Sequence, residues 1–241
     1  MKKVFFAVVL ILAIALLLPA DVYIKTNVHT DAFAMMGQNQ PAKDEVMEQW
    51  VGNNQLANMT GDKIMIMDMN KNLMFIVNLK DKTYVQTTLP LDMTKLVPKE
   101  AASMMAMMKV TVKVTPNGQT KKIGKWNCSG YDMDMNMAMM QMKMTVWATT
   151  DVPFDWKLFS KMYANVSKMQ FMDDAAIAEI NKISGYQVAS EMNMDMMGSK
   201  LKVTSQVVEI TQKSAPAGIY AVPVGYTKKD TLSLEDMHGG K

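Results

Sequence analysis

The sequence predicts a mainly β, α+β domain: one curved antiparallel sheet of about ten strands with two or three helices over its concave face. Three observations carry this. Short apolar and β-branched runs alternate with Asn, Asp and Gly turn residues, as in Lys63 to Met69 and Leu73 to Leu79 around Asn70-Lys71-Asn72. Methionine, 29 of 241 residues, recurs at every second position in several runs, which is the period of a strand. Two stretches, near Pro98 and from Pro153 to Phe171, carry helical patterns instead.

The elements follow in order. Val22 to Thr30 alternates apolar and β-branched residues with a wetter set that includes Tyr23, Lys25 and His29, and reads as the first strand. Gly37 to Asp44 breaks the chain before a strand at Val46 to Val51, which presents Trp50 near its end. Asn53-Asn54 and Asn58 to Asp62 are turn signals. Lys63 to Met69, Leu73 to Leu79 and Thr83 to Leu89 then make an antiparallel meander.

Past Pro90 the pattern changes. Ala101, Ala102, Met104 and Met105 favour a short helix starting at about Pro98, a residue suited to a first helical position. Val110 to Thr115 and Gln119 to Trp126 flank Pro116-Asn117-Gly118 and read as a hairpin. From Asn127 to Trp147 the methionine parity changes: Met133, Met135, Met137 and Met139 give way to Met140, Met142 and Met144. A bulge or a tight turn at that point produces such a shift.

Pro153 to Phe171 is the strongest helical stretch, with Trp156, Phe159, Met162, Tyr163 and Val166 at helical spacings, and Ala175 to Lys182 forms a second helix. Gly185 to Met197 and Lys200 to Thr211 pair around Gly198-Ser199. Ile219 to Val224 is the last extended segment, and residues 228–241 read as a polar tail.

Residues 1–20 have secretory-signal anatomy: Lys2 and Lys3, an unbroken apolar run from Val4 to Leu18, then Pro19-Ala20. The run is short for a membrane span, which favours cleavage after Ala20 over an anchor and leaves residues 21–227 as a single domain in the periplasm or outside the cell. The lone cysteine, Cys128, allows no internal disulfide. All 26 basic residues are Lys, so the guanidinium fork favoured for bases and phosphates is missing, and nucleic acid is not an expected partner.

Catalytic motifs are lacking as well. The two histidines, His29 and His238, have no zinc-ligand spacing, and neither they nor Cys128 has an evident catalytic partner. Asp132 and Asp134 alternate with the methionine row and belong on its opposite face, and the pair Asp173-Asp174 is a further carboxylate candidate for Ca²⁺ or for acid and base. No enzyme activity is expected.

The methionine rows carry the functional reading. Thioethers two apart on a strand share a face and give a soft surface that repacks around apolar ligands or presents sulfur to a soft metal. The candidate cavity lining is Met65, Met67, Met69, Met133, Met135, Met137, Met139, Met192, Met194 and Met196, with Trp147. The favoured function is a non-enzymatic binding protein whose partner is a lipid or other hydrophobic small molecule, without a cofactor. The alternatives are a Cu(I) or Ag(I) protein using Met133, Met135 and Met137, or a structural, partner-binding module. A further reading treats the methionines as reversible oxidant sinks.

A series of short blocks carries a family resemblance. They are Lys80-Asp81-Lys82-Thr83-Tyr84, the run from Lys122 to Tyr131 with Gly124-Lys125-Trp126-Asn127-Cys128 at its centre, Thr145-Val146-Trp147-Ala148-Thr149, Gly185-Tyr186-Gln187-Val188 and Val222-Pro223-Val224-Gly225-Tyr226. In this order they resemble secreted bacterial proteins of the DUF4412 type, within a broader group similar to the LolA and LolB lipoprotein carriers. The resemblance implies a half-barrel whose concave apolar face is shielded by helices and, in the carriers, holds acyl chains. This chain departs from the carriers in having no arginine and in using methionine where they use aliphatic side chains.

Overall fold

The computed structural model describes residues 21–35, 38–89, 110–137, 140–157, 159–160, 172–196 and 199–232. The expected signal segment, the helix near Pro98, most of the helix from Pro153 and Met139 lie outside them. The described strands are β1 (Val22–Thr30), β2 (Phe33–Met35), β3 (Gln38–Gln40), β4 (Lys43–Gly52), β5 (Gln55–Thr60), β6 (Lys63–Asp68) and β7 (Leu73–Asn78). They continue with β8 (Thr83–Thr88), β9 (Val110–Ile123), β10 (Trp126–Met137), β11 (Met140–Thr149), β12 (Tyr186–Met196), β13 (Ser199–Gln212) and β14 (Thr227–Lys229). One helix, α1 (Asp174–Ile180), precedes β12.

Twelve strands form one curved sheet in the order β14, β8, β7, β6, β5, β4, β1, β13, β12, β11, β10, β9, while β2 and β3 form a separate hairpin. The sheet stays open, with β14 and β9 at its two edges. Every pairing is antiparallel except β14 on β8. The strand number exceeds the ten expected. Residues 156–157 and 159–160 are helical in addition to α1, so the described residues hold fewer complete helices than the two or three expected.

The meander forms as its turns dictate. Asn54, Asn72 and Lys82 adopt positive φ at three of its reversals, and Gly61 does so at a fourth. Strand β5 was not expected, because Asn58 to Asp62 reads as a turn. Only Gly61 and Asp62 make that turn, and Asn58 stays in the ladder opposite Gln49 and Met65. Its side chain accepts a hydrogen bond from Gln49 Nε2 at 2.5 Å, so pairing on both sides overrides the weak strand preference of Ala57 and Asn58.

The hairpin expected at Pro116-Asn117-Gly118 is instead a bulge inside the continuous strand β9. Ser129 pairs with Thr120 and Tyr131 with Pro116, so residues 117–119 lie opposite Gly130 alone. Gly118 supplies φ of 72°, and Asn117 Oδ1 accepts from the Gln119 N–H at 3.0 Å. Pro116 is tolerated in β9 because an edge strand pairs on one side only and bulges here. The chain reverses later, at Gly124-Lys125, where Ile123 pairs with Trp126.

Two faces result from the register. One carries Ile24, Gln49, Leu56, Met67 and Met74, and continues across β13 to β10 as Val207, Met192, Met144 and Met133. The reverse face carries Tyr23, Trp50, Ala57, Ile66 and Val77, covered by Ala215, Ile219, Tyr220, Val222 and Tyr226. That C-terminal strap, expected to be extended, contains turns; Asp21 Oδ2 holds the Ala215 N–H at 3.1 Å, and Lys213 Nζ stands 3.6 Å over the Tyr23 ring. Within the tail expected from residue 228, Lys228 and Lys229 belong to β14 and Leu232 is buried against Leu56, Met67 and Val85; residues 233–241 lie outside the described residues.

Candidate functional site: a methionine grid beside an apolar groove

The parity shift resolves as a tight hairpin. β10 ends at Met137, β11 begins at Met140, and these two residues are paired, so two residues link the strands. That connection brings odd methionines of β10 opposite even methionines of β11: Met133 with Met144, Met135 with Met142, Met137 with Met140. The next register repeats the pattern, placing Met144 opposite Met192, Met142 opposite Met194 and Met140 opposite Met196. Three strands thus present a three-by-three methionine grid. Val114, Val112 and Val110 of β9 border it on one side, Val203, Leu201 and Ser199 of β13 on the other.

Burial across the grid is graded. Met133 is 7 % exposed and packs with Val114, Tyr131 and Val146, whereas Met135, Met137, Met140, Met142, Met144, Met192 and Met194 are half-buried. Helix α1 covers the β9 side, where Met172, Ala176 and Ile177 meet Val110, Val112, Met135 and Met137. The helix starts cleanly because the Asp173 carboxylate accepts the Ala176 N–H at 2.9 Å. Glu179 Oε2 reaches back to the Val114 N–H at 3.0 Å, tying the helix to the free edge of β9.

Beside the grid, on the same sheet face, lies a groove of about 590 Å³. Its floor is Thr26, Met47, Ser205 and Val207 and its wall includes Trp156, Phe159, Ile177, Ile180 and Ile183. The volume falls in the range of small-molecule sites. Ser205 sits one pairing step beyond the grid, bonded to Ser190 Oγ at 2.8 Å, so groove and grid form one continuous surface.

The expected site residues divide between three places. Met133, Met135, Met137, Met192 and Met194 join in the grid, together with the backbone position of Met196. Met65, Met67 and Met69 share the same sheet face far away at β6, where Met67 is fully buried and Met65 and Met69 pack against the Leu56 cluster. Trp147 belongs to neither group. It pairs with Gly130 and Ala189 on the reverse face, one residue out of step with Val146, and Lys121 Nζ stands 5.5 Å over its ring. Among the described residues, the groove lining shares no member with the expected list; Met47 is its methionine. Met140, Met142 and Met144 complete the grid, and the parity shift was the signal for them.

The remaining polar candidates have structural partners. Asp132 accepts from Asn117 Nδ2 at 3.2 Å and Thr145 Oγ1 at 3.1 Å, and Asp173 caps α1. His29 lies between Asp44 at 2.7 Å and Asp31 at 3.1 Å; the Asp44 hydrogen bond leads in raising its pKa above the usual imidazole value. Cys128 is buried with its thiol toward the Trp126 carbonyl, and burial raises its pKa, which keeps it unreactive. Groups of three or more His, Cys, Asp or Glu able to hold a metal are absent among the described residues. Among those residues, no helix is long and apolar enough to cross a membrane.

Comparison with known proteins gives one firm result. No curated protein matches the chain. Among solved structures it is similar to a DUF1329 family protein from Desulfovibrio piger ATCC 29098, at 6 % identity over 84 % of this chain and 89 % of that one. The TM-score of 0.30 is too low for that likeness to bear on function. A family model for DUF4412, a domain of unknown function, matches residues 27–226, which take in the grid, the strap and all of the groove floor but Thr26, and on that match the chain belongs to the DUF4412 family.

Proposed function

We propose that this protein is a non-enzymatic binding protein of the cell envelope that holds a hydrophobic small molecule or a lipid acyl chain in the groove beside the methionine grid. The observation that carries the reading is the pairing of an apolar groove of about 590 Å³ with a half-buried methionine surface continuous with it. Ile177, Ile180, Ile183, Phe159 and Val207 supply the apolar lining, while Ser205 and Thr26 offer hydroxyls at the floor. Methionine suits such a role. Its unbranched side chain changes rotamer to follow ligands of different shape, as the stiffer branched aliphatic side chains do not.

The envelope placement follows from the N-terminal signal anatomy, and the carrier analogy follows from the resemblance of the sequence blocks to LolA-like proteins. Both are tested directly. The protein exported in its host is expected in the periplasm or medium, shortened by 20 residues at the start, and to retain an apolar molecule in native mass spectrometry. A fluorescent fatty acid should bind the purified chain and be displaced by Ser205→Trp, which fills the groove floor. A wild-type chain that binds no fatty acid and carries no host molecule overturns the reading.

A further inference from the structure

The geometry points to a second activity on the same sheet face: the methionine grid is a binding site for a soft monovalent cation, Cu(I) or Ag(I), held by thioethers from three different strands. A single strand row is a poor cage, because residues two apart stand roughly 6–7 Å apart at Cβ. The cross-strand neighbours are closer. Directly opposed residues of antiparallel strands have Cβ atoms about 4.5–5.5 Å apart, and the hairpin between β10 and β11 places methionine opposite methionine without exception. The register with β12 adds the third member, giving Met133 with Met144 and Met192, and Met135 with Met142 and Met194.

Each row therefore offers three sulfurs on adjacent strands. A methionine side chain has three rotatable bonds, so the sulfur of a central residue such as Met142 swings toward either neighbour, and the outer two swing inward. Three thioethers make a soft, neutral donor set, which selects Cu(I) or Ag(I) over Zn²⁺, Ca²⁺ or Mg²⁺. The carboxylates of the grid strands are kept off this face by strand alternation. Asp132, Asp134, Glu191 and Asp195 alternate with the methionines and are exposed on the reverse face. A neutral sulfur site on a half-buried apolar surface holds a monovalent ion without a compensating carboxylate and remains open to exchange.

The central residues are half-buried, which separates them from core methionines. Met67 and Met74 are fully buried, paired with each other and packed among Leu56 and Val85, so their sulfurs have no freedom to collect a metal. Met135, Met142 and Met194 are reachable from solvent and have only methionine, valine or leucine as cross-strand partners.

The test uses the full chain after signal removal, labelled with ¹³C at the methionine methyls and titrated with Ag(I). The grid methyls of Met135, Met142 and Met194 should move, and those of Met67 and Met74 should stay. In parallel, Cu(I) held by a colorimetric chelator under ascorbate should transfer to the protein. Replacement of Met135, Met142 and Met194 together by Leu should weaken that transfer by about tenfold or more, while Met59→Leu with Met65→Leu should leave it unchanged. Cu(I) transfer to Ser205→Trp, which fills the groove floor and leaves the three methionine strands intact, should match wild type, which separates this site from the groove. Methyl shifts confined to residues outside the grid, or none at all, overturn the assignment. So does equal transfer to wild type and the grid variant.

Discussion

The two ends of the sheet use methionine in opposite ways. In the meander, β4 to β8, both faces are covered: Leu56, Met67, Met74 and Val85 pack with Phe159 and Leu232 on one side, and Trp50, Ala57, Ile66 and Val77 lie beneath the C-terminal strap on the other. From β9 to β13 the covered face is methionine and the reverse face is charged, with rows such as Lys113, Asp134, Lys143, Asn193 and Lys202 running across five strands. The difference lies in what surrounds the side chain. A thioether enclosed on all sides is core filling, and the same thioether half-exposed beside two others is a surface with chemistry of its own.

The largest expected effect exploits that contrast. Met67→Ala should cost about 2–5 kcal/mol, because it opens a cavity in a fully packed cluster. Met142→Ala should cost about 1 kcal/mol or less, since its surroundings are already half open to water. Urea unfolding of the two variants measures both. Equal losses would mean that the grid is as solidly packed as the meander core.

Next comes the joint between α1 and β12. Gly185 has φ of 113°, and a Cβ there would stand 2.4 Å from the Thr149 carbonyl oxygen, which is backbone and cannot yield. Gly185→Ala should destabilise the protein by about 1–3 kcal/mol or more. It also lines the groove, so fatty-acid binding should weaken while the larger loss for Met67→Ala than for Met142→Ala persists. A variant with unchanged urea midpoint would show that the α1 to β12 link is not pinned as the geometry indicates.

Much of this was legible from parity alone. Methionines at alternate positions placed a row on one face, and the switch from Met139 to Met140 announced a bulge or a tight turn, of which the pairing of Met137 with Met140 is the turn that makes rows into a grid. Trp147 was expected in the lining on its aromatic character, yet an odd position following Met142 and Met144 belongs on the other face, where the structure puts it. What escaped had causes beyond local sequence. Strand β5 exists because β4 and β6 both pair with it, and Pro116-Asn117-Gly118 fails to turn the chain because an edge strand absorbs a bulge without losing a partner. The groove was invisible because its lining is gathered from Thr26, Met47, Ile177 and Val207, which only the tertiary fold brings together.

Acid should act on the meander through Asp68. Burial of Asp68 opposes its ionisation, but hydrogen bonds from the Lys71 side chain at 3.0 Å, the Lys71 N–H at 3.1 Å and Gln55 at 3.3 Å outweigh it and hold the carboxyl below its usual pKa. A depressed folded pKa contributes stability that is present above the unfolded value, about 3.9, and is lost as pH falls through the folded one. Asp68→Asn should therefore lower stability at neutral pH and flatten its decline from about pH 5 downward. Parallel titration curves for wild type and variant would remove Asp68 as a source of acid sensitivity.

The smallest effect is expected on the charged side of the methionine half. Glu191 and Lys202 approach to 3.1 Å with side chains 48 % and 40 % exposed, and the Lys202 hydrogen bond leads in lowering the Glu191 pKa. At that exposure water and salt screen the pair, so Glu191→Gln should change stability by less than about 1 kcal/mol, and added salt should shrink the difference further. The value of the measurement lies in its smallness. If this pair contributes little, the register that aligns the grid is fixed by the ladder and by the apolar face, and the charges opposite serve to keep that side of the sheet in water. A loss as large as that of Met67→Ala would instead make the outer charge rows the element that holds the methionines in line.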